Sequence, residues 1–488
     1  MSIIKGSELF VRLKKILKNL DIMESKNFKD YNIKAITHIS KDVIKDSIFI
    51  CIKGNNFNGN DYIIDAIKSG AKCIVTEEEC NATNVCVIRV KDVRLAMSVL
   101  AKNFYNNACD SMQIIGIIGT CGKTSTSMII AKLLQNSDNN IGIIGTNGIF
   151  IGDIKLDNKF TTPDPLELHY IFYQMKLLGV KTVVMEVSAQ AIYLNKMYGV
   201  KLDIGVFTNI SEEHLDFFGT MEKYARCKMD YFDLSNMKEC VVNVDDFYGM
   251  EIAYKTKVPC VSYAVKNPAN SFALDIQIDI NSTKFTANIL DNIIKVDSKL
   301  VGDFNVYNIL AAMTVAKMLG VSCEDIGNKI NSINGIAGRL NFFEKNGRQI
   351  IVDFAHTPDS FDKTLSFVKK FCRSRLITLF GWVGYSDQEK RYQMGAIADK
   401  YSDEIILSVD NRGNTLFEDI CADIITGISH AKYTLIEDRK VAIKSGIEKL
   451  SGGDILCVLG KGAEDFQKIG DERIPYSDLQ VVEEYIKG

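Results

Sequence analysis

Short apolar stretches rich in β-branched residues, separated by segments of helical period, constrain this chain more than any other feature. QIIGIIG, IGIIGT, KTVVMEV, DIGVFTN and ECVVNVD occupy the middle, and RQIIVDFA, RLITLFG, DEIILSV and DILCVLG follow. Strands that are apolar at every position have no solvent face. Each run is followed by a helical pattern, as in SFDKTLSFVKKF or DRKVAIKSGIEKL. The alternation predicts an α/β chain of parallel sheets covered by helices on both faces. At 488 residues there is room for about three domains. The expected units are a smaller α/β domain over 1–108, a nucleotide-type domain over 109–337, and a second doubly wound domain over 338–488, joined near NSINGIAGRL.

Composition narrows the partners. The chain is 47% hydrophobic and 24% charged, with a net charge of -3. That balance predicts a globular protein with real cores and no nucleic-acid or anionic-membrane partner. No apolar run approaches the roughly 20 residues of a membrane span. The opening MSIIKGSELFVRLKKILKNL reads as an amphipathic helix without a signal-peptide core. The 13 cysteines are scattered with no C-x-x-C pair, which predicts buried thiols in a reducing cytoplasm. Five histidines (His38, His169, His214, His356, His430) without ligand spacing argue against zinc.

The stretch GIIGTCGKTSTSMII, Gly116 to Ile130, joins a strand pattern to a helix pattern. The common phosphate-loop spacing G-x-x-x-x-G-K-[ST] would put its first glycine at Ile117, yet the glycine is Gly116. Gly119 and Gly122 free the backbone to turn its N–H groups inward, and the helix N-terminus adds its dipole. Lys123 can reach outer phosphates and Thr124 can ligate Mg²⁺. The alternative is a tight structural turn with a surface lysine. Glu186 ends a buried-strand pattern, where a carboxylate is costly unless used. TNISEEHLDFFGTMEKYARCKMDYF offers His214, Asp216 and Lys228. Taken singly, His214 is as well a packing or capping histidine, and Lys228 a solvated helix face. TTPDPLELH reads as a turn with Asp164 as N-cap and Pro165 at N1.

Taken together, GTCGKTS, TTPDPLEL, MEVSAQA, FTNISEEHLDFFGTMEKYARCK, NVDD, GDFNVYNILAA, GIAGRL, VDFAHTPDS and GKGAED resemble the Mur ligases of peptidoglycan synthesis, nearest the tripeptide-synthetase (MurE) type. The likeness runs from about residue 37 to the C-terminus, and that family's loop is GTxGKT. The resemblance implies three domains: a UDP-binding one, a central ATPase and a C-terminal Rossmann-like one. It implies ATP-dependent amide formation on a UDP-MurNAc-dipeptide carboxylate through an acyl phosphate, by a cytoplasmic monomer using ATP and Mg²⁺. Gly119, Thr120, Gly122, Lys123, Thr124 and Ser125 would hold ATP phosphates, and Asn305 and Asn308 would contact adenine. Arg339 and Asp353, with His356 beside them, would reach the nucleotide on domain closure. Thr124 and Glu186 would hold one Mg²⁺, and His214 with a carbamylated Lys228 a second. Ser40, followed by Lys41, would face the uridine end, and Thr161, Thr162 and Ser188 the muramyl-peptide.

The departures gather toward the incoming amino acid. A DNPR-type signature appears as DNRGNT: Asp410 and Asn411 match, but Arg412 stands in place of proline and Gly413 in place of the arginine for a diaminopimelate carboxylate. That exchange removes a charge-assisted contact of about 1.5–3 kcal/mol, unless Arg412 swings into the same space. Gly460 and Glu464 remain, while Ala463 replaces histidine; Val383, Ser386 and Tyr392 replace glycine, arginine and proline; Ala189 and Gln190 follow Ser188. The leading expectation is an ADP-forming acid–amino-acid ligase whose acceptor fits neither the diaminopimelate nor the lysine pattern. Its rivals are a paralogue joining a different amino acid or carboxylate in specialised metabolism, a non-catalytic nucleotide-binding scaffold, and a simple phosphotransferase.

Overall fold

Ile/Val runs need burial at every position, and these find it in sheet interiors. All residues of Thr182–Val187, Leu376–Phe380 and Ile455–Leu459 are buried. The computed structural model describes residues 9–54, 57–136, 140–152, 154–384 and 388–487, side chains at 388 and 389 excepted. Three large sheets organise these residues, and the expected three-domain α/β architecture is present.

The first sheet runs Ile22–Lys26, Cys86–Val90, Ala71–Thr76, Ser47–Ile50, Ala35–Thr37, and only the Ile22–Lys26 edge is antiparallel. Among the described residues 9–20 the expected N-terminal helix is reduced to a single turn. Residues 1–8 lie outside the described residues, and a two-residue strand (Val11–Arg12) precedes a single turn, Leu13–Ile16. Val11–Arg12 pairs with Asn32–Ile33, and Arg12 holds Asp30, so tertiary pairing overrides helical propensity.

The middle sheet has 11 strands. Its parallel core runs Ile141–Gly145, Thr182–Val187, Gln113–Ile118, Leu202–Phe207, Met237–Asn243, Cys260–Ala264, Ser271–Ile278. Both edges correct the all-parallel expectation. IGIIGT is followed by the antiparallel strands Gly148–Ile151 and Ile154–Leu156, not by a helix. At the far edge Ser271–Ile278, Thr283–Ile289 and Asn292–Ser298 form an antiparallel meander. In TKFTANI alternate residues are buried, the mark of a sheet with one solvated face. Helix Asp303–Met318 is apolar nearly all round because it lies between this sheet and helix Lys123–Leu134.

The third sheet runs Asn341–Lys345, Arg348–Asp353, Ile455–Leu459, Leu376–Phe380, Glu404–Leu407, Lys432–Leu435, antiparallel only at the first pair. All 13 cysteines are free, and six of them, Cys121 among them, are only half-buried. Among the described residues no helix is long and apolar enough to cross a membrane. Ligands of open parallel sheets lie beyond the carboxyl ends of the strands. Apart from Ser40 and Lys41 in the first domain, most residues singled out in the sequence gather near those ends of the middle and third sheets.

Candidate active site

Gly116 belongs to the strand, not the loop: a Cβ there would collide with the Leu202 side chain on the neighbouring strand. Its offset spacing therefore reflects strand packing. The turn itself needs Gly122, at φ 84°, where a Cβ would also run into Asn308 Oδ1. Residues after the next strand clamp the loop. Thr120 N donates to Asn209 O (2.8 Å), Cys121 N to Asn209 Oδ1 (3.0 Å), and Thr208 Oγ1 to Cys121 O (2.7 Å). Lys123 Nζ curls back onto the carbonyls of Gly119 (3.0 Å) and Thr120 (2.7 Å). Thr124 and Ser125 are buried in the first helical turn, and Thr124 Oγ1 accepts from Arg339 Nη2 at 3.0 Å.

Glu186 is 1% exposed and accepts from Thr146 N (2.8 Å) and Thr146 Oγ1 (3.1 Å). Among the described residues it has no ion-pair partner. Thr161 Oγ1 lies 3.0 Å from Thr146 Oγ1, and Thr162 Oγ1 donates to Glu186 O at 2.9 Å. Ser188 caps the next short helix through Ala191 N, at 3.2 Å. Asp164 precedes helix Pro165–Leu177 as expected, but makes no side-chain cap; its carboxylate pairs with Lys196 at 2.7 Å.

His214 takes a left-handed backbone (φ 56°) that turns its ring toward Gln190, 3.3 Å from Nδ1. Lys228, on helix Met221–Met229, is fully buried and donates to Thr120 Oγ1 (3.1 Å) and to Tyr224 OH. Burial, reinforced by Lys123, holds its ammonium well below the ordinary lysine range. Glu213 completes the group and escaped the sequence reading. Burial would raise its carboxyl, but His214, Lys123, His356 and Lys228 outweigh burial and hold it below the usual range. Its signal was its place beside His214; that of Tyr224 was a position one turn before Lys228 on the same helix.

Across the cleft, Asp353 accepts from Leu340 N and Ala355 N, both at 2.8 Å, and so clamps the turn presenting Phe354 and His356. His356 Nε2 lies 3.9 Å from Glu213 Oε1. Asn308 Nδ2 donates to Asn305 Oδ1 (3.0 Å), and Asn308 Oδ1 accepts from Thr126 (3.2 Å). A cleft of about 480 Å³ brings together Thr120, Gly122, Lys123, Thr124, Ser125 and Thr161, with Glu186, Ser188, His214, Asn305, Asn308, Arg339, Asp353 and His356. Gly119, Thr162 and Lys228 are not among its lining residues; Lys228 reaches it through Thr120. Ser40, in the turn Ser40–Asp42 of the first domain, lines neither this cleft nor the cavity beside it.

That adjoining cavity, about 290 Å³, is lined by Asp410, Asn411, Gly460 and Glu464 at the carboxyl ends of Glu404–Leu407 and Ile455–Leu459. Lys461, also missed from sequence, is fully buried there: Nζ lies 3.3 Å from Asp410 and from Asn411 and 2.8 Å from Glu464. Arg412 does not swing in; its Nη1 donates to Thr415 O at 3.1 Å on its own loop. Gly413 N donates to Lys468 O. Ser386 lies outside the described residues. Glu213, His214, Phe354, Ala355, His356 and Thr357 line both cavities, forming a shared wall.

Comparison with known proteins identifies the frame. Residues 32–105 match the description Mur ligase family, catalytic domain; 117–316 match Mur ligase middle domain; 338–462 match Mur ligase, glutamate ligase domain. The UDP-N-acetylmuramoyl-L-alanyl-D-glutamate--2,6-diaminopimelate ligase of Caldanaerobacter subterraneus subsp. tengcongensis is 36% identical over 481 residues, 98% of this chain and 99% of that one. A solved structure of a ligase of that name superposes with a TM-score of 0.69 at 27% identity, covering 98% and 99% of the two chains. The MurF ligase of Thermotoga maritima, solved in complex with ADP, superposes with a TM-score of 0.60 at 20% identity over 87% of this chain and 93% of that one. Identity sustained over nearly the whole of both chains, on one three-domain frame, leaves a single conclusion: this chain belongs to the Mur ligase family.

Proposed function

We propose that the chain is an ATP-dependent, ADP-forming ligase that joins an amino acid to the carboxylate of a UDP-MurNAc-dipeptide in peptidoglycan precursor synthesis. The observation that carries this reading is the shared wall. A phosphate site and a second, acid-ended cavity meet at Glu213, His214 and His356. An enzyme that only hydrolyses ATP needs one cavity; an enzyme that activates a carboxylate and then delivers an amine needs a second one adjoining it.

Lys123 and the loop amides would take the outer phosphates, and Asn305 and Asn308 the adenine end. Arg339, Asp353 and His356 would close on the nucleotide from the third domain. Thr161, Thr162 and Ser188 would face the muramyl-peptide, and Ser40 the uridine end. Asp410, Asn411, Gly460 and Glu464 would receive the incoming amino acid. A carboxylate oxygen attacks the γ-phosphorus and ADP leaves, giving an acyl phosphate; the amine then attacks the carbonyl carbon, loses a proton, and phosphate departs. Closing the domains excludes the water that would hydrolyse the intermediate.

The residues fit Mg²⁺. Glu186 is a buried carboxylate without a cation among the described residues, and a guanidinium sits on the Thr124 hydroxyl. Among those residues no group of three His, Cys, Asp or Glu could hold a metal unaided, which suits an ion that relies on phosphate oxygens and water. Thr124 and Glu186 would hold one ion, His214 and a carbamylated Lys228 another. Bound there, Mg²⁺ neutralises charge as an anion attacks a polyanion. The joints between domains would fall near residues 108 and 337. A monomer in a reducing cytoplasm suits a site completed by one chain with free thiols.

The test is ADP release by purified protein given UDP-MurNAc-L-alanyl-D-glutamate and a panel of amino acids. Release that requires both the carboxylate and an amine supports the proposal. Release indifferent to the amine, or none with any acceptor, sinks it.

A further inference from the structure

Cysteines stand opposite one another on neighbouring parallel strands at two places among the described residues. Cys240 on Met237–Asn243 is the register partner of Cys260 on Cys260–Ala264, and in the first domain Cys73 is the register partner of Cys86. Cys260 packs against the same apolar layer that contains Cys240, so the two thiols share a face of the sheet. The pairs differ in access. Cys73 and Cys86 are both fully buried, whereas Cys260 is half-buried beside a buried Cys240. We propose that Cys240 and Cys260 form a reversible oxidation site, at which a hydroperoxide converts the two thiols to a disulfide.

Neighbouring strands lie about 4.8 Å apart, inside the roughly 4.4–6.8 Å between Cα atoms that a disulfide bridges. Hydrogen bonding from Cys240 outweighs burial and lowers the Cys260 thiol below the usual range, while that contact and burial push Cys240 up. Cys260 is therefore the nucleophile and Cys240 the thiol that resolves it. Cys121, half-buried in the phosphate loop, is instead raised, chiefly by burial. The Cys260 thiolate attacks one peroxide oxygen: an S–O bond forms, the O–O bond breaks, and the alcohol or water leaves with a proton from solvent. Cys240 sulfur then attacks Cys260 sulfur: the S–S bond forms, the S–O bond breaks, and hydroxide takes the Cys240 proton and departs as water. Both thiols are oxidised and the peroxide is reduced. Further along, the same strands present Asn243 and Tyr263, themselves register partners, to the nucleotide cleft. A disulfide holds its Cβ atoms about 3.8 Å apart, about 1 Å closer than the strand spacing. Close-packed interiors pass such a shift on, and a misplacement of that size at a reacting group is costly.

The full-length protein is treated with hydrogen peroxide, its remaining thiols are alkylated, and its peptides are mapped by mass. The expected product is a Cys240–Cys260 link, reversed by dithiothreitol, while Cys73 and Cys86 are recovered as free thiols. Cys240→Ser should leave Cys260 as a sulfenic acid that dimedone captures. A wild type in which Cys260 is oxidised without linking to Cys240 overturns the inference. So does a Cys73–Cys86 link that forms as readily, or a Cys240–Cys260 pair that peroxide leaves reduced. The wild-type map decides this even if a variant misfolds. ADP release, a readout that rests on the ligase reading, should fall at least about threefold on oxidation, recover with dithiothreitol, and be spared in Cys260→Ser. A closed bond with ADP release unchanged overturns the link to the cleft. A protein that closes the bond but releases no ADP with any acceptor, oxidised or reduced, keeps the oxidation site and removes the ligase reading instead.

Discussion

Arg339 Nη2 donates to Thr124 Oγ1 at 3.0 Å, tying the start of the third domain to the first turn of the phosphate-loop helix. The same guanidinium lies 4.6 Å from the centre of the Phe354 ring. Salt bridge Lys155–Asp465 (3.2 Å) and Cys121 Sγ to Asp359 Oδ2 (3.8 Å) cross the same boundary. The third domain therefore touches the loop and its helix directly.

Arg339→Lys keeps the charge but loses the planar fork that reaches Thr124 while stacking on Phe354. The expected result is a fall of about tenfold or more in kcat/KM for ATP, with the melting temperature little changed. Steady-state ADP release with differential scanning fluorimetry checks it. Activity equal to wild type would show the bridge to be a bystander.

Lys123 spends its ammonium on the carbonyls of Gly119 and Thr120. With phosphates present those oxygens are poor competitors for it. Lys123→Ala should lower kcat on the order of a hundredfold, as loss of one preorganised charge at a reacting group does. The thermal midpoint should hold, because Thr208 and Asn209 still clamp the loop. A variant retaining activity within about threefold of wild type contradicts the role.

Much of this was legible in the sequence, for reasons that also explain the gaps. Strands such as KTVVMEV are apolar on both faces and admit one reading, whereas TKFTANI alternates, and its edge meander was missed. The loop–helix junction fell where Gly122 and Lys123 put it. Glu213 looked like one more acid in SEEH, because three of the groups that hold its carboxyl down, Lys123, His356 and Lys228, come from distant segments. Lys461 was unread for the same reason: only the fold brings Asp410 to it, 51 residues away. Arg412 seemed available to the acceptor until Thr415 O claimed it.

Asp454 stabilises the third domain in a way that acid should reveal. Its side chain is fully buried, accepting from Arg375 N (2.9 Å), Arg375 Nη2 (2.7 Å) and Ser451 N (2.9 Å). Burial raises its pKa, but Arg375 and the Ser451 N–H outweigh burial and bring it from 3.8 to about 2. A carboxyl depressed on folding adds stability that is complete above its unfolded pKa and lost as the pH falls through the folded one. Asp454→Asn should therefore melt well below wild type near about pH 6, the gap narrowing between about pH 4 and pH 2. A gap independent of pH would rule this out.

Lys228 offers the most direct chemical test. Burial and the neighbouring Lys123 hold its amine well below the ordinary lysine range, which raises the share of neutral nitrogen. A neutral amine attacks the carbon of CO₂: an N–C bond forms, a carbonyl electron pair moves to oxygen, and the nitrogen gives its proton to solvent. The product is an anion, which would suit the second Mg²⁺ proposed above. With ¹³C-bicarbonate, wild type should show a carbamate carbonyl signal that Lys228→Ala lacks. Removing CO₂ should slow ADP release by wild type, and bicarbonate should restore it; the alanine variant should be slow in both conditions. Wild-type activity indifferent to CO₂, with no carbamate signal, would leave Lys228 as a neutral hydrogen-bonding partner of Thr120 and Tyr224 and nothing more.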